Sequence, residues 1–132
     1  MTQRRRTIGF AVLAAAIATA PAAGQVAKKR AAPSPVEPVS LGGLRYEALP
    51  WGKGRGLPQN GGHVVAINEA TGRELWVVRV YRVAYDRRIE GDKQDVFITR
   101  LAPSPDGAAL IVENERGARY RFDLRTRKAR PE

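Results

Sequence analysis

The chain has 132 residues, with 23 Lys and Arg against 13 Asp and Glu, a net charge of +10, one His and no Cys. That length admits one domain with tails. The missing cysteine excludes disulfides, a thiol nucleophile, Cys-ligated zinc or iron–sulfur clusters and a lipid-bearing anchor cysteine, and a single His excludes an intramolecular site built on two imidazoles.

Taken in chain order, Arg4, Arg5 and Arg6 precede an uncharged, Ala-rich run over residues 8–20, followed by small residues to Gly24. A cationic start, a short apolar run and a small-residue zone are the parts of a secretory signal peptide, expected over 1–24 with cleavage near Gly24. The run is shorter than the roughly 20 residues that span a bilayer, so no permanent anchor is expected. The arginines fit either general or twin-arginine export. Residues 25–40 carry Lys28, Lys29 and Arg30, then Pro33, Pro35 and Pro38. They read as a flexible or polyproline-like tether.

From residue 41 the apolar period is two. Strands are expected over 45–49, 63–68, 74–85, 95–101, 108–113 and 119–124. The run 74–85 is apolar on both faces, as in a central strand covered on two sides. Turns ending in Gly72, Gly107 and Gly117 separate apolar runs and predict hairpins. The expected fold is all-β, a small antiparallel meander or propeller-blade-like sheets of about six strands over 41–128, ending in a basic tail over 129–132. In the last strand Tyr120, Phe122 and Leu124 face inward, while Arg119, Arg121 and Arg125 form a partner-facing basic ridge on an edge strand. Such a ridge either discourages strand pairing or attracts an anionic surface.

Residues 31–115 hold ten cations against eleven anions, so the positive charge sits at the two ends. This removes the main support for a nucleic-acid binder, and export argues against one.

The loop 51–62 has five glycines, two cations and an aromatic. Glycine-rich backbone forms anion-holding nests, which makes Trp51, Lys53, Arg55 and the adjoining His63 the candidate ligand or anion site. A wide structural turn is the alternative. Asp86, Glu90, Asp92 and Asp95 have no EF-hand spacing and are mixed with cations, so no metal site is expected. Pairing His63 with Ser104 and Asp106 lacks any sequence support, and no catalytic residue or cofactor is expected. Trp76, Tyr81 and Tyr85 are assigned to core packing rather than to a stacking platform.

A shift of 55 residues overlays Asn68, Thr71 and Arg73 on Asp123, Thr126 and Lys128, each copy a strand, an Asx residue and a Thr-centred turn. The run A-I-N-E-A-T-G-R-E-L-W over 66–76 resembles the tryptophan-docking motif of quinoprotein-type (PQQ-like) β-propeller repeats, with Asn68 for the usual Asp and Arg73 for the usual Lys. The resemblance implies that Asn68, Thr71 and Gly72 form a blade turn and that Trp76 packs between blades. The chain is too short for the quinone and calcium contacts of a closed ring.

The expectation is an exported, periplasmic or secreted, non-catalytic binding or assembly module. Its partner would be an envelope protein or anionic envelope surface, or a second copy of the chain. The alternative is a quinoprotein accessory or small envelope enzyme.

Overall fold

A computed structural model describes residues 31–132. The signal peptide expected over 1–24, and the tether up to Arg30, lie outside the described residues.

The described chain is sheet-dominated. Eight strands form two four-stranded antiparallel sheets, each a meander in chain order. The first contains β1 (Val39–Leu41), β2 (Leu44–Leu49), β3 (His63–Asn68) and β4 (Glu74–Arg79); the second contains β5 (Ile98–Pro103), β6 (Ala109–Asn114), β7 (Arg119–Asp123) and β8 (Ala129–Pro131). Each of the six expected strands has a counterpart. Strands β1 and β8 are additional, and at three residues each they are too short for alternation to reveal. Tight turns create them: Gly42 and Gly43, at φ of 57° and 80°, fold β1 back onto β2.

The turns predicted from Asx and Gly spacing are formed. Asn68 Oδ1 accepts the N–H of Ala70 at 2.9 Å and of Thr71 at 3.3 Å, while the N–H of Gly72 donates to Asn68 O at 2.7 Å. Fifty-five residues on, Asp123 Oδ1 accepts the N–H of Arg125 at 2.9 Å and of Thr126 at 2.7 Å, and the N–H of Arg127 donates to Asp123 O at 2.8 Å. The same turn is built twice. Gly72 has φ 73°, and Arg127, in the matching place, has φ 58°. Among the described residues Arg127 is the one non-glycine in this left-handed region.

One core serves both sheets. Val64 and Ala66 of β3, Leu110 and Val112 of β6 and Phe122 of β7 are fully buried in it. Trp76 lies between Tyr46 and Phe122, with ring centroids 5.9 and 5.8 Å away, and so joins the two sheets. Burying rings of this size is worth about 2–3 kcal/mol each, which explains why Tyr46, Trp76 and Phe122 pack in the core.

Three expectations are corrected. The sheets are separate and open, with no closure into a ring, so the resemblance to PQQ-like propeller repeats does not extend to a propeller or quinoprotein fold. The run 74–85 is not a central strand: β4 stops at Arg79 and lies at the margin of its sheet. Beyond it Val80, Tyr81 and Val83 stay buried, but their backbone groups bond to a loop instead of a ladder. Finally, β7 lies between β6 and β8, so the basic ridge is not on an edge strand. Arg119 Nε is 3.4 Å from Glu113 Oε1 and Arg121 pairs with Asp106 Oδ2 at 3.2 Å, while Arg125 sits in the turn after β7. Among the described residues no helix is long and apolar enough to cross a membrane.

Candidate functional site

The loop between β2 and β3 was the most distinctive stretch of sequence, and its hydrogen bonds show what it does. Gly56 N–H donates to Lys53 O at 3.1 Å, Leu57 N–H to Gly52 O at 3.0 Å and Gly61 N–H to Pro50 O at 2.7 Å. Lys53 N–H donates to Asn60 Oδ1 at 3.0 Å, and Asn60 N–H to the Tyr85 hydroxyl at 3.2 Å. An anion nest needs converging free N–H groups. These five donors are already committed within the fold.

The loop is seated by Gln59, which is 1% exposed. Its Nε2 donates to Gly61 O at 3.0 Å and Tyr81 O at 2.8 Å, and its Oε1 accepts from Val83 N–H at 2.9 Å. One side chain therefore supplies the hydrogen bonds that a neighbouring strand would otherwise give to residues 81–83. The seat is close-packed. A Cβ on Gly61 would stand 2.2 Å from Val96 O, and one on Gly62 would stand 2.7 Å from Gln59 Nε2. Both glycines have φ above 70°, so the close approach and the backbone path each require glycine.

A second polar group ties the loop to the segment before β5. Tyr85 donates its hydroxyl hydrogen to Asp95 Oδ1 at 2.6 Å, and Asn60 Nδ2 donates to Asp95 Oδ2 at 3.1 Å. Burial, reinforced by the bond to Asp95, pushes the Tyr85 phenol up to about 12, so it keeps its proton and remains a donor. Tyr81 donates to Val96 O at 2.5 Å and stacks on Tyr120 at 5.1 Å, and burial raises its phenol as well. Gln59, Asn60, Tyr85 and Asp95 thus form a polar clasp. Gln59 and Asn60 were not singled out from sequence, because one amide side chain in a loop carries no periodic signal.

The four candidate residues do not converge on one site. Lys53 Nζ sits 4.0 Å above the Tyr85 ring, a cation–π contact. Arg55 makes a two-pronged ion pair with Glu74 of β4, at 2.9 and 2.5 Å. His63 is buried beneath the loop, and its Nδ1 has no hydrogen-bond partner. Burial and then the Arg79 charge lower its pKa, with a backbone hydrogen bond involving Gly61 opposing them. Trp51, Lys53 and Arg55 are exposed, and of the three Trp51 is the one that presents a large apolar ring to solvent.

Trp51 is 51% exposed, with its ring edge-on to Phe97 at 5.3 Å. Both rings line a groove of about 380 Å³, whose other wall includes Pro33, Pro35 and Pro38. Phe97 is buried, and its N–H donates to Glu115 Oε1 at 2.9 Å. The aromatic pair therefore stands on a fixed base.

The other candidate groups resolve into turn chemistry. Ser104 donates its hydroxyl hydrogen to Asp106 Oδ1 at 2.5 Å and accepts from Ala109 N–H at 3.0 Å. The Ser104 hydroxyl, the N–H of Ala108 and the Arg121 guanidinium hold the Asp106 carboxyl down at about 2. Ser104 and Asp106 close the β5–β6 turn in the second sheet, whereas His63 belongs to the first. Of the acidic run, Asp86 pairs with Arg88, Glu90 with Lys93, and Asp95 lies in the clasp. The described residues contain no cluster of His, Asp and Glu that would hold a metal ion. No protein-family model matches the chain, and no curated protein matches its sequence.

Proposed function

We propose that the chain is an exported, non-catalytic binding or assembly module of the bacterial envelope, with Trp51 as its anchor. The carrying observation is a tryptophan held half exposed at an apolar groove by a loop that is pinned through the N–H groups of Lys53, Gly56, Leu57, Asn60 and Gly61. Tryptophan is enriched among residues that dominate binding energy, because it brings large apolar area at little entropic cost. The proline-bearing stretch 32–38 contributes a pre-stiffened wall to the groove. The leader-like sequence over 1–24 supports export.

Cell fractionation with the full-length chain and its Trp51→Ala variant tests this reading. The expected result is a shortened, leaderless protein in the envelope fraction, with the variant equally folded but released into the soluble fraction. A full-length chain in the cytoplasm, or a variant retained as firmly as the parent, overturns it.

A further inference from the structure

Four strands terminate the two sheets, and three of them are poor templates for another strand. β1 is three residues long and lies against β5. β5 is interrupted by a register shift at Ile98/Arg100 and ends in Pro103. β8 is three residues long and carries Arg130 and Pro131. Short length, bulges, charge and proline are the usual means of blocking edge pairing.

β4 is different. It runs six residues, Glu74–Arg79, contains no proline, and its four central residues Leu75, Trp76, Val77 and Val78 are all apolar. Its one irregularity falls at the beginning, where the register shifts opposite Ala66/Ile67, and leaves Trp76–Arg79 regular. The Val80 N–H donates to Gly62 O at 2.7 Å, on the β3 side. By strand alternation the N–H and C=O of Val77 and Arg79 point the other way, toward the open margin. Leu75 is 46% exposed beside them.

Charge on this margin flanks the apolar centre instead of interrupting it. Arg73, Arg79 and Arg82 are exposed, Arg127 lies 5.0 Å over Trp76, and the Glu74 carboxylate is neutralised by Arg55. A second copy would bring a like-charged margin against this one. An incoming strand with acidic ends would find a cation at both.

We propose that the open edge of β4 docks an extended partner segment that carries acidic residues on either side of an apolar centre, adding a fifth strand to the first sheet. The assignment stands on β4 alone and does not require Trp51 to be an anchor.

The test uses two synthetic probes, peptides of alternating valine and threonine flanked by aspartate pairs or by lysine pairs. Hydrogen exchange and titration are followed on the full chain, on Trp51→Ala and on the double variant Arg73→Glu/Arg79→Glu. The aspartate-flanked probe is expected to bind at least about tenfold more tightly than the lysine-flanked one, to weaken with added salt, and to slow exchange at the Val77 and Arg79 amides. The double variant is expected to reverse the preference, and Trp51→Ala to leave it unchanged. Equal binding of both probes, or an unaltered exchange rate at Val77 and Arg79, overturns the proposal. So does sedimentation showing that a second copy occupies the edge. Should the double variant fail to fold, the comparison of probes on the parent chain still decides.

Discussion

Replacing Gln59 with Leu is the most direct test of the clasp, because the two side chains are similar in size and the site is fully buried. The change removes two donated bonds, to Gly61 O and Tyr81 O, and one accepted bond, from Val83 N–H. At about 1 kcal/mol net per bond the loss is about 3 kcal/mol. It grows toward the upper end of the range for side-chain substitutions if the three backbone groups stay buried without partners, and falls toward about 2 kcal/mol if the loop lifts and water reaches them. Either outcome is a large share of the 5–15 kcal/mol typical of a whole domain. Urea unfolding followed by circular dichroism and by tryptophan emission measures it, with constant slope required before midpoints are compared. A loss below about 1 kcal/mol would show that the loop is held by something else and would refute the clasp.

Two further predictions follow from single residues. Arg127→Ala keeps a side chain at positive φ and removes the cation above Trp76, whereas Arg127→Gly removes both the strain and the cation. Glycine is therefore expected to be more stable than alanine there by about 1 kcal/mol, and chemical denaturation giving the two variants equal stability would contradict the left-handed assignment. For His63, the folded imidazole takes up a proton less readily than in the unfolded chain, where it titrates near about 6.5. The contribution to stability is complete above that value and declines as pH falls through the window beneath it, by up to about 1.4 kcal/mol per pH unit. His63→Leu is expected to flatten this slope in urea midpoints between about pH 8 and pH 5, and an unchanged slope would assign the acid sensitivity to another group.

What the sequence disclosed was local. An Asx residue, a short spacing and a glycine determine a turn through bonds made within five residues, and so the turns at 68–72, 104–107 and 114–117 were legible, as was the twofold repeat. Alternation located the long strands for the same reason. It could not distinguish β4 from the stretch after it, because period two records which faces are apolar and says nothing of who supplies the hydrogen bonds. At Tyr81 and Val83 the supplier is Gln59, more than twenty residues away. Lys53, Arg55 and His63 looked like one site because they are close in sequence. The tight path of the loop turns each toward a different partner: an aromatic face, a carboxylate on β4, and the buried underside of the loop itself. The propeller-like motif misled at longer range, since a turn and a packing tryptophan specify how two strands meet and leave the closure of a ring undetermined.

A loop with five glycines is open to two opposite uses, and its donors decide between them. If the N–H groups converge on empty space, the loop is a receptor for an anion. Here the N–H groups of Gly61, Leu57, Gly56, Lys53 and Asn60 donate instead to Pro50, Gly52, Lys53, Asn60 and Tyr85, and the loop becomes a rigid mount. Rigidity has value where a large side chain must stay exposed, because a tryptophan free to move would collapse onto the nearest apolar surface and an ordered one loses little further entropy on binding. Past the Val80 N–H, which still bonds Gly62 O, the chain leaves the ladder and Gln59 holds Tyr81 O and the Val83 N–H instead. That leaves a strand margin of defined length with a cation at each end. The same side chain thus braces both surfaces to which function is assigned, so Gln59→Leu is expected to weaken binding at Trp51 and at the β4 edge together, whereas Trp51→Ala affects only the first.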